Sequence, residues 1–391
     1  MTQPKGFEDT LHPDYVCHLH KAIYGLKHAP RQWYNTFTSF LVSLGFCHSQ
    51  ADPSLMIYQQ DSAKIFLLIY VDDILITGSN KDIIQSILNK LSNEFSMKHL
   101  GLATKFLGIH IQKLSNAYFL SQSKYAFSIL TLADLTRCNP LANPSCTKNP
   151  STFNVEPFLA DPALYRRITG SLQYLTLTRP NIAFSVNMLS QHMHDPQPSN
   201  IYMLKRLLQY IKGTLNFGLP ITKTNLNLKS FSDADWAGDP ITRRSTSGYC
   251  SFLGDTLISW TVKKQRTISR SSTESEYRAL AALTVDIIWL RRLLNDFGIS
   301  QNYPTDLYCD NMSAIALANN PIFHSRTKHI EIDQKILRDQ IQQNNIRLHP
   351  ISTLDQTADI LTKSLSTPRF HQLRTKLTVC QDPSIFGGVL E

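Results

Sequence analysis

Apolar positions in the first 130 residues follow two kinds of spacing. Over residues 33–46, and again over residues 83–91, apolar side chains recur at helical spacing and predict two amphipathic helices. Between them, residues 64–77 are rich in Ile, Leu, Tyr and Val and are interrupted only by two adjacent acids. This segment predicts two strands with the acids at the tip between them, and residues 106–111 and 117–120 predict further short strands.

A proline-rich stretch separates this region from one with a different pattern. Five prolines between residues 139 and 162 break any regular element and predict a linker, and residues 164–213 are mainly helical. From residue 226 onward the order of elements is βββαβα(α)βα, which predicts a mixed sheet with helices. The predicted strands cover residues 226–233, 248–253, 256–262, 307–310 and 346–351. Two predicted helices cover residues 274–297 and 330–342, and two more begin at residues 312 and 357.

Composition agrees with a globular chain. At about 150 residues per domain, 391 residues predict two or three folded units. The longest apolar run, residues 65–71, is too short to cross a bilayer, and seven cysteines without a C-x-x-C pair favour reduced thiols over a disulfide framework or a zinc site. We therefore expect a soluble intracellular protein. A net charge of +9 favours an anionic partner.

Asp72 and Asp73 are the two adjacent acids between the predicted strands. Because adjacent carboxylates repel each other and lose hydration on burial, they persist where a cation neutralises them, most often Mg²⁺. The alternative is an exposed Asp-Asp turn. The apolar flanks, which predict burial, favour the metal site.

Four further acids fall where elements of the C-terminal region end or begin. Asp233 ends the first strand, Glu276 starts the long helix, Asp310 ends the fourth strand and Asp359 lies in the last helix. A mixed sheet brings strand ends and helix starts together. These carboxylates therefore predict a site for two Mg²⁺ ions, one activating water and the other stabilising the leaving oxygen of a phosphodiester.

Each of these acids also has a structural alternative. Thr273-x-x-Glu276 fits a capping box, in which Glu276 only satisfies backbone N–H groups. Asp310 could cap the helix that follows it, and Asp235 and Asp239 could be ordinary turn acids. Spacing alone leaves these alternatives open.

Few other signals point to chemistry. Neither G-x-x-x-x-G-K-[ST] nor G-x-G-x-x-G occurs, so nucleotide binding through a glycine-rich loop is not supported. Arg326, Lys328 and His329 precede a predicted helix and either hold phosphates or form a solvated basic face.

Ten short motifs, taken in order, resemble the reverse transcriptase and ribonuclease H region of the Pol polyprotein of copia-type LTR retrotransposons. They cover nearly the whole chain. The motifs are Ala22-Ile-Tyr-Gly-Leu-Lys-His-Ala-Pro-Arg31, Tyr70-Val-Asp-Asp-Ile-Leu-Ile-Thr-Gly78, Phe106-Leu-Gly-Ile109, Leu175-Thr-Leu-Thr-Arg-Pro180, Ser232-Asp-Ala-Asp-Trp-Ala-Gly-Asp239, Arg244-Ser-Thr-Ser-Gly-Tyr249, Ser271-Ser-Thr-Glu-Ser-Glu-Tyr277, Tyr308-Cys-Asp-Asn311, Arg326-Thr-Lys-His329 and Ala358-Asp-Ile-Leu-Thr-Lys363.

The resemblance implies roles for residues in the first region. Asp72 and Asp73 would be the metal-binding pair of the polymerase palm. Residues 24–31, with Lys27 and Arg31, would contact nucleic acid in the nucleotide and template floor. Residues 106–109 would support the primer end.

The resemblance also implies roles in the C-terminal region. Asp233, Glu276, Asp310 and Asp359 would be the ribonuclease H carboxylates and metal ligands, with Glu276 rather than Glu274 as the ligand. The basic residues Arg326, Lys328 and His329 would contact the nucleic acid.

The implied fold class is α+β and α/β, with a partial palm and thumb followed by a ribonuclease H-like mixed five-stranded sheet with flanking helices. The predicted segments are a truncated palm and thumb-like region over residues 1–138, a linker over 139–163, a helical connection over 164–222, a ribonuclease H-like domain over 225–370 and a tail over 371–391.

The chain departs from the family pattern in the palm. In the family, the third palm carboxylate lies on a strand that precedes a Gln-Pro-x-Gly-Phe segment. This chain matches that segment at Gln3-Pro-Lys-Gly-Phe7, so the position of the carboxylate would come before Met1. We therefore expect the palm to be truncated and polymerase activity to be lost. His28 stands where the family usually has Gln, and Lys335 where it usually has His.

The expected function is cleavage of RNA in RNA–DNA hybrids by two-metal hydrolysis with Mg²⁺ or Mn²⁺. The expected partners are RNA–DNA hybrid and template-primer nucleic acid, with no membrane, in cytoplasmic particles of the element or in the nucleus. The alternative is a degenerate, non-enzymatic remnant that binds nucleic acid.

Overall fold

The chain divides into two compact units, Met1–Gly101 and Leu102–Glu391. The structure is a computed structural model that describes residues 1–20, 23, 25–60, 62–147, 161–320 and 331–386. Among the helices within those ranges, none is both long enough and apolar enough to cross a membrane.

The first unit is a four-stranded antiparallel sheet, in the order β1-β2-β3-β4, with two helices. Buried residues alternate along β3, and the apolar faces of both helices join them in one core. The two predicted helices and the predicted strand pair are confirmed. The elements are α1 (Ala29–Ser43), β1 (Phe46–His48), β2 (Leu55–Gln60), β3 (Ala63–Tyr70), β4 (Asp73–Gly78) and α2 (Lys81–Glu94).

The second unit begins with a sheet that draws strands from three distant segments. Its order is β14-β8-β7-β6-β5, and all of its pairings are antiparallel. Four helices share one core with side chains from the C-terminal segment. The elements are β5 (Lys105–Phe106), β6 (Ile109–Lys113), β7 (Ala117–Ser121), α3 (Ser123–Leu132), α4 (Pro162–Leu175), α5 (Ala183–Ser190), α6 (Pro198–Gly213), β8 (Phe217–Thr222) and β14 (Cys380–Gln381).

A mixed five-stranded sheet in the order β11-β10-β9-β12-β13 forms the rest of this unit. Strands β9 to β11 are antiparallel, and β12 runs parallel to both β9 and β13. The predicted element order and the α+β and α/β fold class are confirmed. The elements are β9 (Leu228–Asp235), β10 (Thr246–Leu253), β11 (Thr256–Lys264), α7 (Ser272–Asp296), β12 (Thr305–Cys309), α8 (Met312–Asn319), α9 (Glu331–Gln342), β13 (Ile346–Pro350) and α10 (Thr367–Lys376).

The segment predicted as the last helix differs from the prediction. Thr357–Leu361 is a short 3₁₀ helix, and α10 begins only at Thr367. Pro368 in the first turn of α10 has the fixed φ and the missing N–H that suit a helix start, so the chain begins a new helix there. The predicted segment boundaries stay a prediction; the one at residue 138 falls inside the second compact unit.

Candidate functional site

The mixed sheet and the segments after it bring four predicted acids together. Asp233 lies near the end of the central strand β9, Glu276 in the second turn of α7, Asp310 directly after β12 and Asp359 in the 3₁₀ helix. Asp233, Glu276 and Asp359 are each at most 5% exposed, and Asp310 is half-buried. Asp233 interacts electrostatically with Asp310 and Asp359, and Glu276 with Asp233 and Asp310.

Gly248 allows the 3₁₀ helix to lie against the sheet. It is paired with Asp233 across the β9–β10 ladder. A Cβ atom at this position would lie 2.7 Å from both Leu361 Cβ and Thr362 Cγ2. Only glycine leaves space for the segment that carries Asp359. Sequence reasoning missed this role, although Gly248 lies within the motif at residues 244–249.

Glu276 is not a helix cap. Helix α7 has Ser271 as its N-cap, and the Ser271 hydroxyl accepts a hydrogen bond from Glu274 N at 3.2 Å. The Glu274 carboxylate accepts a hydrogen bond from Arg270 N and pairs with Arg278. The capping alternative for Glu276 is therefore wrong, because Ser271 caps α7 and Glu274 is the acid that accepts a hydrogen bond at the helix start.

Asp310 is not a cap either. The N-cap of α8 is Asn311, whose side chain accepts a hydrogen bond from Ala314 N at 2.9 Å. The Asp310 carboxylate accepts a hydrogen bond from Thr353 Oγ1 at 2.9 Å instead. Asp239 does fit the turn alternative, because its Oδ1 accepts hydrogen bonds from the N–H groups of Ile241 and Thr242.

Cys309 is a member of the site that sequence reasoning missed. Potential ligand atoms of Glu276, Cys309 and Asp310 all lie within 4.8 Å of one another. Cys309 Sγ is 3.9 Å from Glu276 Oε2, and burial raises the pKa of the thiol far above its usual value. The available signal was its place at the end of a predicted strand, beside Asp310.

Two cations hold the other side of the site. Lys363 Nζ is 2.7 Å from Asp359 Oδ1 and 3.5 Å from Asp233 Oδ2, and Arg369 donates to Asp359 Oδ2 at 3.2 Å. Thr362 Oγ1 donates to the Asp233 carboxylate. The roles of Lys363 and Thr362 were not predicted, although both lie in the motif at residues 358–363.

Burial and like charge dominate the ionisation of the acids. Burial raises the pKa of Glu276 to about 9, and the carboxylates of Asp233 and Asp310 add to the shift. Burial also raises the pKa of Asp233 to about 6, although Lys363 opposes this shift. Burial lowers the pKa of Lys363, but Asp233 and Asp359 raise it, and the carboxylates prevail.

This arrangement fits divalent cations. Four carboxylates face two cationic side chains, and in the described part of the chain neither Glu276 nor Asp310 has an ion-pair partner. Clustered carboxylate oxygens are the donors that Mg²⁺ prefers. Lys363 lowers the pKa of Glu276, but burial and the neighbouring carboxylates outweigh this effect.

The predicted site in the first unit has a different environment. Asp72 and Asp73 lie at the β3–β4 turn and are exposed, and Tyr70 and Val71 are each 57% exposed. The expectation that these flanks are buried is wrong for Tyr70 and Val71, because a two-residue turn leaves them outside the core formed by the rest of β3.

The predicted nucleic-acid contacts divide into two groups. Lys27 and Arg31 are exposed at the start of α1. Arg326, Lys328 and His329 lie outside the described residues. The roles of all five stay predictions.

Comparisons with known proteins agree with the motifs. Residues 1–147 match the family model "Reverse transcriptase (RNA-dependent DNA polymerase)". The chain is 44% identical over its whole length to the retrovirus-related Pol polyprotein from transposon RE2 of Arabidopsis thaliana, of which it spans 27%. It is 30% identical to a putative transposon Ty5-1 protein of Saccharomyces cerevisiae, with 73% of this chain and 94% of that protein covered.

A solved structure of the foamy viral protease–reverse transcriptase in complex with RNA/DNA hybrid is similar at 14% identity and a TM-score of 0.47. The match covers 88% of this chain and 40% of that one. The motifs and the relatives, taken together, show that this chain belongs to the family of Pol polyproteins of copia-type LTR retrotransposons.

Proposed function

We propose that the second unit hydrolyses the RNA strand of RNA–DNA hybrids. The observation that carries this proposal is the convergence of Asp233, Glu276, Asp310 and Asp359 at one end of a mixed sheet. Glu276 and Asp310 have neither a cap role nor an ion pair within the part of the chain that the structure describes.

The four carboxylates would hold two Mg²⁺ or Mn²⁺ ions. When bound, such ions activate water and stabilise the leaving oxygen of a phosphodiester. Thr362 and Thr353 fix the orientation of the Asp233 and Asp310 carboxylates through their hydroxyl groups. Recognition of a hybrid would rest on backbone shape and 2′-hydroxyl groups, so we expect no sequence preference.

Hybrid cleavage by the purified chain tests this function. We expect Mg²⁺-dependent cleavage that falls to background with EDTA and by roughly 100-fold or more in Asp310→Asn. Asp306→Asn is the matched control, because Asp306 lies four residues earlier, in β12, and is paired with Arg347. Equal activity of Asp310→Asn and wild type would refute the assignment and favour the non-enzymatic remnant.

For the first unit we propose that Asp72 and Asp73 are ligands of a reverse-transcriptase palm, supported by the family match over residues 1–147. Lack of polymerase activity in this chain remains part of the proposal. Primer extension on an RNA template by the purified chain should give no product, and template-dependent extension would contradict this.

A further inference from the structure

Among the described residues, the cations that pair with the carboxylate cluster lie on one side of it. Asp359 has a cation at each oxygen, Lys363 at Oδ1 and Arg369 at Oδ2, and Lys363 also lies 3.5 Å from Asp233. On the other side, the ligand atoms of Glu276 and Asp310 lie within 4.8 Å of each other and of Cys309. The cluster therefore has two sides: Asp233 and Asp359 are paired with cations, and Glu276 and Asp310 have no ion pair among the described residues.

From this asymmetry we infer that Lys363 is a resident cation that competes with a divalent ion for the position between Asp233 and Asp359. The inference rests on the proposed function, because it concerns the same carboxylates. Its consequence is that the two ion positions differ in affinity, the position beside Glu276 and Asp310 binding more tightly than the position beside Lys363.

Distances support direct competition. A Mg²⁺ ion is bound at about 2.0–2.1 Å from its oxygen ligands, and the ammonium group of Lys363 lies 2.7 Å from one of the two carboxylates concerned. An ammonium group and a divalent ion cannot share so small a space, since they exclude each other sterically and repel each other. Binding at this position must therefore displace Lys363.

The two cations differ in how easily they can leave. The Lys363 side chain is 34% exposed and reaches the acids on a flexible four-carbon chain, so it can move into solvent. The Arg369 side chain is 17% exposed and also donates to the carbonyl oxygens of Thr353 and Leu354, which hold it in place. Lys363 is therefore the displaceable cation and Arg369 the fixed one.

The resident ammonium also has a use before an ion binds. Asp233 and Asp359 are both almost fully buried, and two buried carboxylates side by side repel each other. Lys363 contacts both of them and so holds them in place as a preassembled pair. The cost of that preassembly is weaker binding of the second ion.

Calorimetric titration of the full chain with MgCl₂, and separately with MnCl₂, tests the inference without measuring activity. We expect wild type to show one tighter and one weaker ion at this site, and Lys363→Met to tighten the weaker one at least tenfold. Lys363→Arg keeps a cation, so the tighter and the weaker ion should differ in affinity as they do in wild type. Lys229→Met is the matched control. Lys229 lies at the start of β9 and forms an exposed ion pair with Asp255, so this change removes the same charge far from the acids.

Several outcomes would overturn the inference: unchanged affinities in Lys363→Met while the tighter ion still binds, the same change in Lys229→Met, or a single class of ions in wild type. Thermal unfolding checks that the variants are folded, and Lys363→Gln, which also removes the charge, provides the result if Lys363→Met does not fold. Failure of the proposed function would look different. In that case wild type would bind ions as expected and yet leave RNA–DNA hybrids intact.

Discussion

The two groups of acids in this chain share a chemistry and differ in their surroundings. Asp72 and Asp73 lie side by side at an exposed turn between β3 and β4. Asp233, Glu276 and Asp359 belong to three different elements and are at least 43 residues apart along the chain, and all three are almost fully buried. Burial makes the second group costly to ionise, and cations therefore become part of its structure.

The comparison shows what burial adds to a carboxylate pair. At the exposed turn, water screens the repulsion between the two charges, and the fold does not depend on a cation there. In the buried cluster, the pKa of Glu276 rises to about 9, and Lys363 and Arg369 are drawn to the remaining acids. Four experiments distinguish the exposed pair from the buried cluster.

Exchanging one acid in each group gives the largest contrast. We expect Asp233→Asn to lower hybrid cleavage by roughly 100-fold or more, because it removes a buried ligand. Asp72→Asn should change the same rate by less than about twofold, since its turn belongs to the other compact unit. A quantitative cleavage assay with equal protein concentrations measures both. A comparable loss of cleavage activity in both variants would contradict the assignment of cleavage to the buried acids.

Ion-linked stability distinguishes the groups without an assay of activity. An ion present at about 100 times its Kd stabilises the folded state by about 2.7 kcal/mol, so Mg²⁺ should raise the melting temperature of the second unit. We expect Glu276→Gln to lose this increase. Glu274→Gln, which alters the helix cap two residues away, should keep it. Thermal melts with MgCl₂ and with EDTA provide the measurement, and an increase retained in Glu276→Gln would exclude that residue as a ligand.

Arg369→Gln examines how far the buried group depends on its fixed cation. Loss of the guanidinium leaves Asp359 with Lys363 alone and removes the bonds to the carbonyls of Thr353 and Leu354. We expect the free energy of unfolding to fall by about 2 kcal/mol. Urea unfolding in EDTA measures this value. A change within about 0.3 kcal/mol would mean that Asp359 needs no fixed partner.

Asp306→Asn shows how much a more exposed ion pair contributes to the free energy of unfolding, for comparison with Arg369→Gln. Partial burial raises the pKa of Asp306, but the hydrogen bonds from Arg347 and His349 outweigh it, so the pKa lies below its usual value. A lowered pKa means that the stabilisation is present above the unfolded value and is lost as the pH falls through the folded one. We expect a loss of about 0.5 kcal/mol at pH 7. The difference in stability between wild type and variant should shrink as the pH falls from the ordinary pKa of Asp, about 3.9, through the lower folded value. A difference that persists at still lower pH would have another cause.

Much of the fold follows from local patterns. Helical and alternating apolar spacing predicts both helices and the hairpin of the first unit and the element order of the mixed sheet, because each pattern reports which face of an element is buried. The end of the chain is less predictable. The segment from Thr357 divides into a 3₁₀ helix and α10, since its apolar residues pack in a shared core that local spacing does not reveal.

Residue types and short spacings were enough to predict the family and the order of the elements around the four acids, because both depend on local sequence. Only the folded structure shows that Ser271 rather than Glu276 caps α7, that Gly248 gives space to the 3₁₀ helix, and that Lys363 lies close to both Asp233 and Asp359. Each of these depends on contacts across 100 or more residues or on competition between neighbours for one position. Spacing along the chain carries no record of them, since burial and charge act through space.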